Sequence, residues 1–331
     1  MTYVVYIARE SNTMIDCIKQ TMQAIAEQEL QQGASSLQQA TYNDQRTLIS
    51  AVFRGNEYTM GNVMLRLVVI DSLYSTNAAY SYFSFEEMAG KICTLGSEKD
   101  AQDYFYKVVT SGKDPKKLFC EPYGIRKNLA DGSMQMSLLS KYAYYCLLQK
   151  PQRYPWGFPI YDRLAKEAYP TVCKMLGVKK KRILPALETP KIDEYLECIG
   201  QLRETLFGDS HELFYGYQQY DILDAYLWRM GKFEDGNLSL LLGWKDYERF
   251  VKNLGLETKG NEDDAAYRQR MAEKYAGQKA VGKDGKFDFG KAVVQALEEG
   301  RTPFRGTSNE GYMNILLNHW QEFHQTKNSK K

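Results

Sequence analysis

The sequence has only three histidines, His211, His319 and His324, and none stands at metal-ligand spacing to a cysteine. Its six cysteines, Cys17, Cys93, Cys120, Cys146, Cys173 and Cys198, include no C-x-x-C pair. That removes the local signatures of zinc ribbons and of cysteine-held iron–sulfur clusters. Scattered cysteines of this kind read as small, reduced core residues of a cytoplasmic protein. No G-x-S-x-G serine and no Walker-type glycine loop occurs, so triad hydrolysis and P-loop nucleotide chemistry find no support. No apolar run reaches the ~18–20 residues of a membrane span. The first ten residues, MTYVVYIARE, carry charge too early for a signal peptide. The expectation is a cytoplasmic protein with no cofactor, no metal and no membrane partner. A dominant charge is also missing: the net charge is +2. A total that balanced leaves nucleic acid open, because a basic face can sit inside it.

What the chain does have is enough apolar residue for a core. At 331 residues and 44% hydrophobic, one large or two modest domains are expected. Tyrosine is abundant, at 25 residues. Tyrosines at the rims of helical interfaces account for that, and a base-stacking surface is the sharper alternative.

Helical periodicity dominates the pattern. Residues 1–10 read as a short strand or as the start of a helix that continues over 14–30. Residues 60–74, MGNVMLRLVVIDSLY, are apolar nearly all round, which predicts a central buried helix. Ser84 and Glu87 form a capping box before the next helix, which Gly96 closes, and Ser97 opens another that ends near Gly112. Residues 112–136 are loop-like and carry Lys113, Lys116, Lys117, Arg126 and Lys127. A helix over 137–149 ends before Pro151. The loop YPWGFP leads into a helix over about 162–176. Thr189 and Pro190 start another, and the helix over 219–230 stops at Gly231. The segment 281–290 reads as a turn or small hairpin, and a terminal helix covers about 310–324. The fold class is all-α. A helical region covers 1–254, and residues 255–331 form a C-terminal extension.

One stretch carries chemistry, residues 137–169, SLLSKYAYYCLLQKPQRYPWGFPIYDRLAKEAY. A lysine inside an apolar helix is costly as a cation, so burial favours a neutral amine able to attack an electrophilic carbon such as C1′ of a sugar. Asp162 opens the next helix, where the helix dipole and free backbone donors favour its ionised form. A carboxylate there can take the ammonium proton or stabilise positive charge on the sugar as a base departs. The same residues also suit purely structural roles. Lys141 can lay its stem along a helix face, and Asp162 can cap a helix after a proline loop.

The pattern SKYAYYCLLQ…FPIYDRLAKEA resembles the core of the helix-hairpin-helix DNA glycosylases. In that family a G-x-K-x-A helix carries a Schiff-base lysine, and a P-[VI]-D-type loop supplies the aspartate. Lys141 and Ala143 match K-x-A. Phe158, Pro159, Ile160, Tyr161 and Asp162 are similar to the aspartate loop, with Tyr161 interposed. The resemblance covers about 60–250 and implies a glycosylase-like helical core there, double-stranded DNA as partner, and base excision with Lys141 as nucleophile and Asp162 as its electrostatic partner. One departure stands out. The family's hairpin glycines, which let backbone amides approach a phosphate, have no counterpart in Gln135–Ser140.

Around this pair, Tyr154 and Trp156 are candidates to stack on a base, or else plug a core edge. Lys179, Lys180, Lys181 and Arg182 are candidates to contact phosphates, or else form a solvated face. Two functions remain: a DNA glycosylase/lyase, and a non-enzymatic helical module that binds DNA or protein.

Overall fold

Helix boundaries follow local chemistry. The Ser97 hydroxyl accepts the Asp100 N–H, and the Asp100 carboxylate accepts the Ser97 N–H, which satisfies two donors at the start of a helix. Gly112 closes that helix at φ 62, a left-handed conformation that a Cβ would disfavour. The computed structural model describes residues 2–31, 37–54, 57–74, 85–112, 133–161, 163–178, 192–235, 238–242, 244–255, 266 and 289–328.

In chain order the helices are α1 (Thr2–Gln31), α2 (Leu37–Arg54), α3 (Met60–Tyr74), α4 (Phe85–Cys93), α5 (Glu98–Ser111), α6 (Ser133–Leu148) and α7 (Arg163–Met175). They continue as α8 (Ile192–Phe207), α9 (Gln219–Asp235), α10 (Ser239–Leu242), α11 (Trp244–Asn253), α12 (Phe289–Glu298) and α13 (Glu310–Asn328). Among the described residues every regular element is a helix, so the class is all-α. The N-terminal residues, open between strand and helix on sequence, are helical. The helix expected to stop at Gly231 runs on to Asp235. Burial of Met230 and Phe233 outweighs the ~1 kcal/mol a mid-helix glycine costs. Residues 281–288 of the expected turn lie outside the described residues. No helix among those described is long and apolar enough to cross a membrane.

The chain divides into two compact units. The first holds Met1–Ile15 and Tyr42–Ala225, and the second holds Asp16–Thr41 and Tyr226–Lys331. The second therefore takes in residues 16–41 and 226–254 as well as the extension expected over 255–331.

In the first unit α6 is the central helix: every residue from Leu138 to Leu147 is buried. Helices α3 and α5 pack against it, and α4 packs against α3. Phe53 and Phe105 set their rings 5.2 and 6.1 Å from Tyr142. Helix α3 is not central, contrary to its apolar composition. It buries Val63, Arg66, Leu67 and Ile70 and leaves Met60, Met64, Leu65 and Val68 at 37–43% exposure. Arg66 points inward because its terminal nitrogens find partners there. The guanidinium donates to the Phe53 carbonyl at 2.9 Å and to Glu98 at 3.1 Å, and lies 4.8 Å from the Phe53 ring centre. Several tyrosines are also deeper than interface rims. Tyr142, Tyr145, Tyr154 and Tyr169 are among the largest fully buried side chains of this unit.

In the second unit Phe304 stacks on Phe250 at 4.9 Å and Trp320 on Phe233 at 5.8 Å. Arg229 donates to Glu29 at 2.9 Å and to the Tyr312 hydroxyl at 2.7 Å, joining α1, α9 and α13.

Candidate functional site

Lys141 lies midway along α6 and is only 4% exposed. Its Nζ donates to Ser137 Oγ, one turn earlier, at 2.8 Å. It also lies 5.3 Å from the centre of the Tyr74 ring. Ser137 and Tyr74 are both half-buried. The amine is thus largely desolvated, yet it ends between two residues that reach the surface.

The loop after α6 is fixed by backbone and side-chain hydrogen bonds. Gln218 Nε2 donates to the carbonyls of Leu147 at 3.1 Å and Tyr154 at 2.7 Å. The Gln219 and Tyr220 N–H groups, free at the start of α9, donate to Pro155 and Trp156 at 2.9 and 2.8 Å. Gly157 takes φ 70, and a Cβ there would stand 2.9 Å from Gln218 Oε1, so both backbone and space require glycine. Tyr195 donates to the Ile160 carbonyl. The Tyr161 N–H then donates to Ser140 Oγ at 3.0 Å. Ser140 precedes Lys141, and Tyr161 precedes Asp162. The loop is therefore tied to α6 one residue from each member of the Lys–Asp pair. Asp162 itself, like Lys179, Lys180, Lys181 and Arg182, lies outside the described residues.

The two aromatic candidates differ. Tyr154 is buried, and its hydroxyl donates to Asp103 Oδ1 at 2.7 Å, so it plugs the core rather than offering a stacking face. Trp156 lines a cleft of about 580 Å³ in the same unit, together with Val108, Leu196, Gly200, Arg203 and Tyr220. Its ring stacks on His211 with centroids 5.0 Å apart, and the Arg203 guanidinium carbon lies 3.7 Å from its centre. Its Nε1 donates to the Ser210 carbonyl at 2.9 Å. Arg203 is itself buried and donates to Gln219 and to the Gly208 carbonyl. The cleft wall also carries Glu197, Glu204 and Asp209. Among the described residues three carboxylates stand against one guanidinium on this wall, a balance that does not favour a phosphodiester. Lys141 is not among the lining residues. Trp156 thus lines this cleft, and Lys141 lies in the α6 core.

Ser140 and Gln218 were not legible as site residues, because nothing in their spacing marks a side chain that fixes a loop. Arg203 sits in an ordinary helical stripe that gives no sign of its stacking on Trp156. Among the described residues, one group of metal-capable donors converges, Cys17, His319 and Glu322, in the second unit. Comparison with protein-family models, with curated proteins and with solved structures gave no significant match.

Proposed function

We propose that this chain is a helical, glycosylase-like protein that binds double-stranded DNA and excises a base, with Lys141 as nucleophile and Asp162 as its electrostatic partner. The observation that supports this reading is the Tyr161 N–H to Ser140 Oγ hydrogen bond. It joins the residue before the lysine to the residue before the aspartate, across the loop that separates them. The low exposure of Lys141 adds to it, since a nucleophile shielded from bulk water meets less competition from hydrolysis. The amine bonds to C1′ as the C1′–N bond breaks and the base leaves with the bonding pair. Loss of an amine proton and opening of the sugar ring then give a Schiff base. A carboxylate at Asp162 stabilises the positive charge that develops on the sugar. Lys179, Lys180, Lys181 and Arg182 supply phosphate contacts. Trp156 has no part in this reading, because its cleft is acidic.

Borohydride reduction in the presence of abasic and damaged duplexes tests the chemistry. A covalent protein–DNA adduct from the wild type, absent from Lys141→Ala, is the expected result. The same absence from both proteins across the lesion panel would end the lyase reading.

A second reading, a non-enzymatic helical module, is favoured by one observation. Residues 133–140 are helical, so no turn precedes Lys141 where the resembled family grips a phosphate. In that case DNA binding is salt-sensitive, unchanged by Asp162→Asn and weakened by Lys180→Ala and Arg182→Ala, with no adduct formed.

A further inference from the structure

The second unit brings together three side chains with no part in the Lys141 chemistry. Cys17 stands on the Asp16–Gln31 stretch of α1, and His319 and Glu322 stand three residues apart on one face of α13. Cys17 Sγ lies 3.3 Å from His319 Nδ1 and 3.6 Å from Glu322 Oε2, and the latter two atoms are 3.9 Å apart. The point equidistant from these three atoms lies about 2.1 Å from each, inside the ~2.0–2.3 Å range of zinc bonds to nitrogen, oxygen and sulfur. Tetrahedral ligands at those bond lengths stand about 3.3–3.6 Å apart, close to the separations seen.

The three donors are placed for this role. His319 is 2% exposed, and its Nε2 lies 2.5 Å from the hydroxyl of buried Tyr226. With the ring proton on Nε2 and donated to Tyr226, Nδ1 presents its lone pair to Cys17 and Glu322. A hydrogen bond on the far ring nitrogen is how metal-binding histidines are oriented. Without a cation the Cys17 thiol hydrogen-bonds within the trio. The backbone placement is braced from both sides: Gln28 donates to Asn309 at 3.2 Å, and Arg229 ties Glu29 to Tyr312.

We propose that Cys17, His319 and Glu322 bind a single Zn²⁺, with the fourth position open to water. A thiolate and a carboxylate balance the two charges of the ion, so no net charge is buried. As the zinc–sulfur bond forms, the thiol proton goes to solvent, one proton per ion bound. Glu322 is about half exposed, which leaves a water-accessible side.

The full chain, stripped with a chelator, is titrated with Co²⁺ as a spectroscopic substitute. The expected result is a near-ultraviolet thiolate-to-cobalt charge-transfer band that saturates at one equivalent and is bleached by Zn²⁺. Cys17→Ser removes the band, which separates Cys17 from the other five cysteines. Glu322→Gln, at an exposed position that spares the fold, keeps the band and weakens binding by roughly tenfold or more. Absence of the band from folded wild type overturns the site. So does a band that persists in Cys17→Ser, or an affinity unchanged in Glu322→Gln.

Discussion

Arg66 and Lys141 are both cations inside the first unit, and both lie against an aromatic ring. Arg66 is 0% exposed beside Phe53, and Lys141 is 4% exposed beside Tyr74. Their hydrogen bonds differ. Arg66 donates to a carboxylate and a backbone carbonyl, and Lys141 donates to a half-buried hydroxyl. The guanidinium fixes which face of α3 turns inward, so removing it leaves a buried carbonyl and a carboxylate without their donor. The lysine's hydroxyl partner reaches water and loses little when the amine goes. The first arrangement suits a cation that holds structure, and the second suits an amine that can exchange its hydroxyl partner for a substrate.

Three substitutions sharpen or break that contrast. Arg66→Met has the largest expected effect, about 3 kcal/mol of lost stability in urea denaturation, because two charge-assisted hydrogen bonds disappear at once. Ser140→Ala removes the acceptor of the Tyr161 N–H, a buried donor, and costs about 1–2 kcal/mol. Its larger consequence is functional: the borohydride adduct falls with the loss of the loop tether, even under conditions where the protein is folded. Lys141→Met has the smallest expected effect on stability, about 1 kcal/mol, because the Ser137 hydroxyl it leaves behind is half-buried and reaches water. The adduct disappears nonetheless. A Lys141→Met cost equal to that of Arg66→Met would erase the distinction between the two cations.

Local chemistry was the part of this fold most open to reading. The Ser97 capping box, the Gly112 terminus and the helix before Pro151 each depend on residues within a few positions of one another, and each is found. The inner face of α3 was not legible. Its apolar residues surround the helix, and the choice among faces was made by Arg66 meeting Phe53 and Glu98, neither of them in α3. At the candidate site the Lys141 and Asp162 layout could be read because both belong to one 33-residue stretch. The bond that joins their surroundings could not, since a serine accepting a backbone N–H twenty-one residues away leaves no pattern. The second unit makes the point more strongly. Cys17 and His319 are 302 residues apart, and only the His319–Glu322 spacing, two donors on one helical turn, hinted at that trio.

The central claim is that Lys141 itself forms the bond to DNA. Tandem mass spectrometry of the borohydride-reduced adduct tests it most directly, by locating the sugar remnant on one peptide. The account predicts the remnant on Lys141. A remnant on any other lysine or on the N-terminal amine would contradict it.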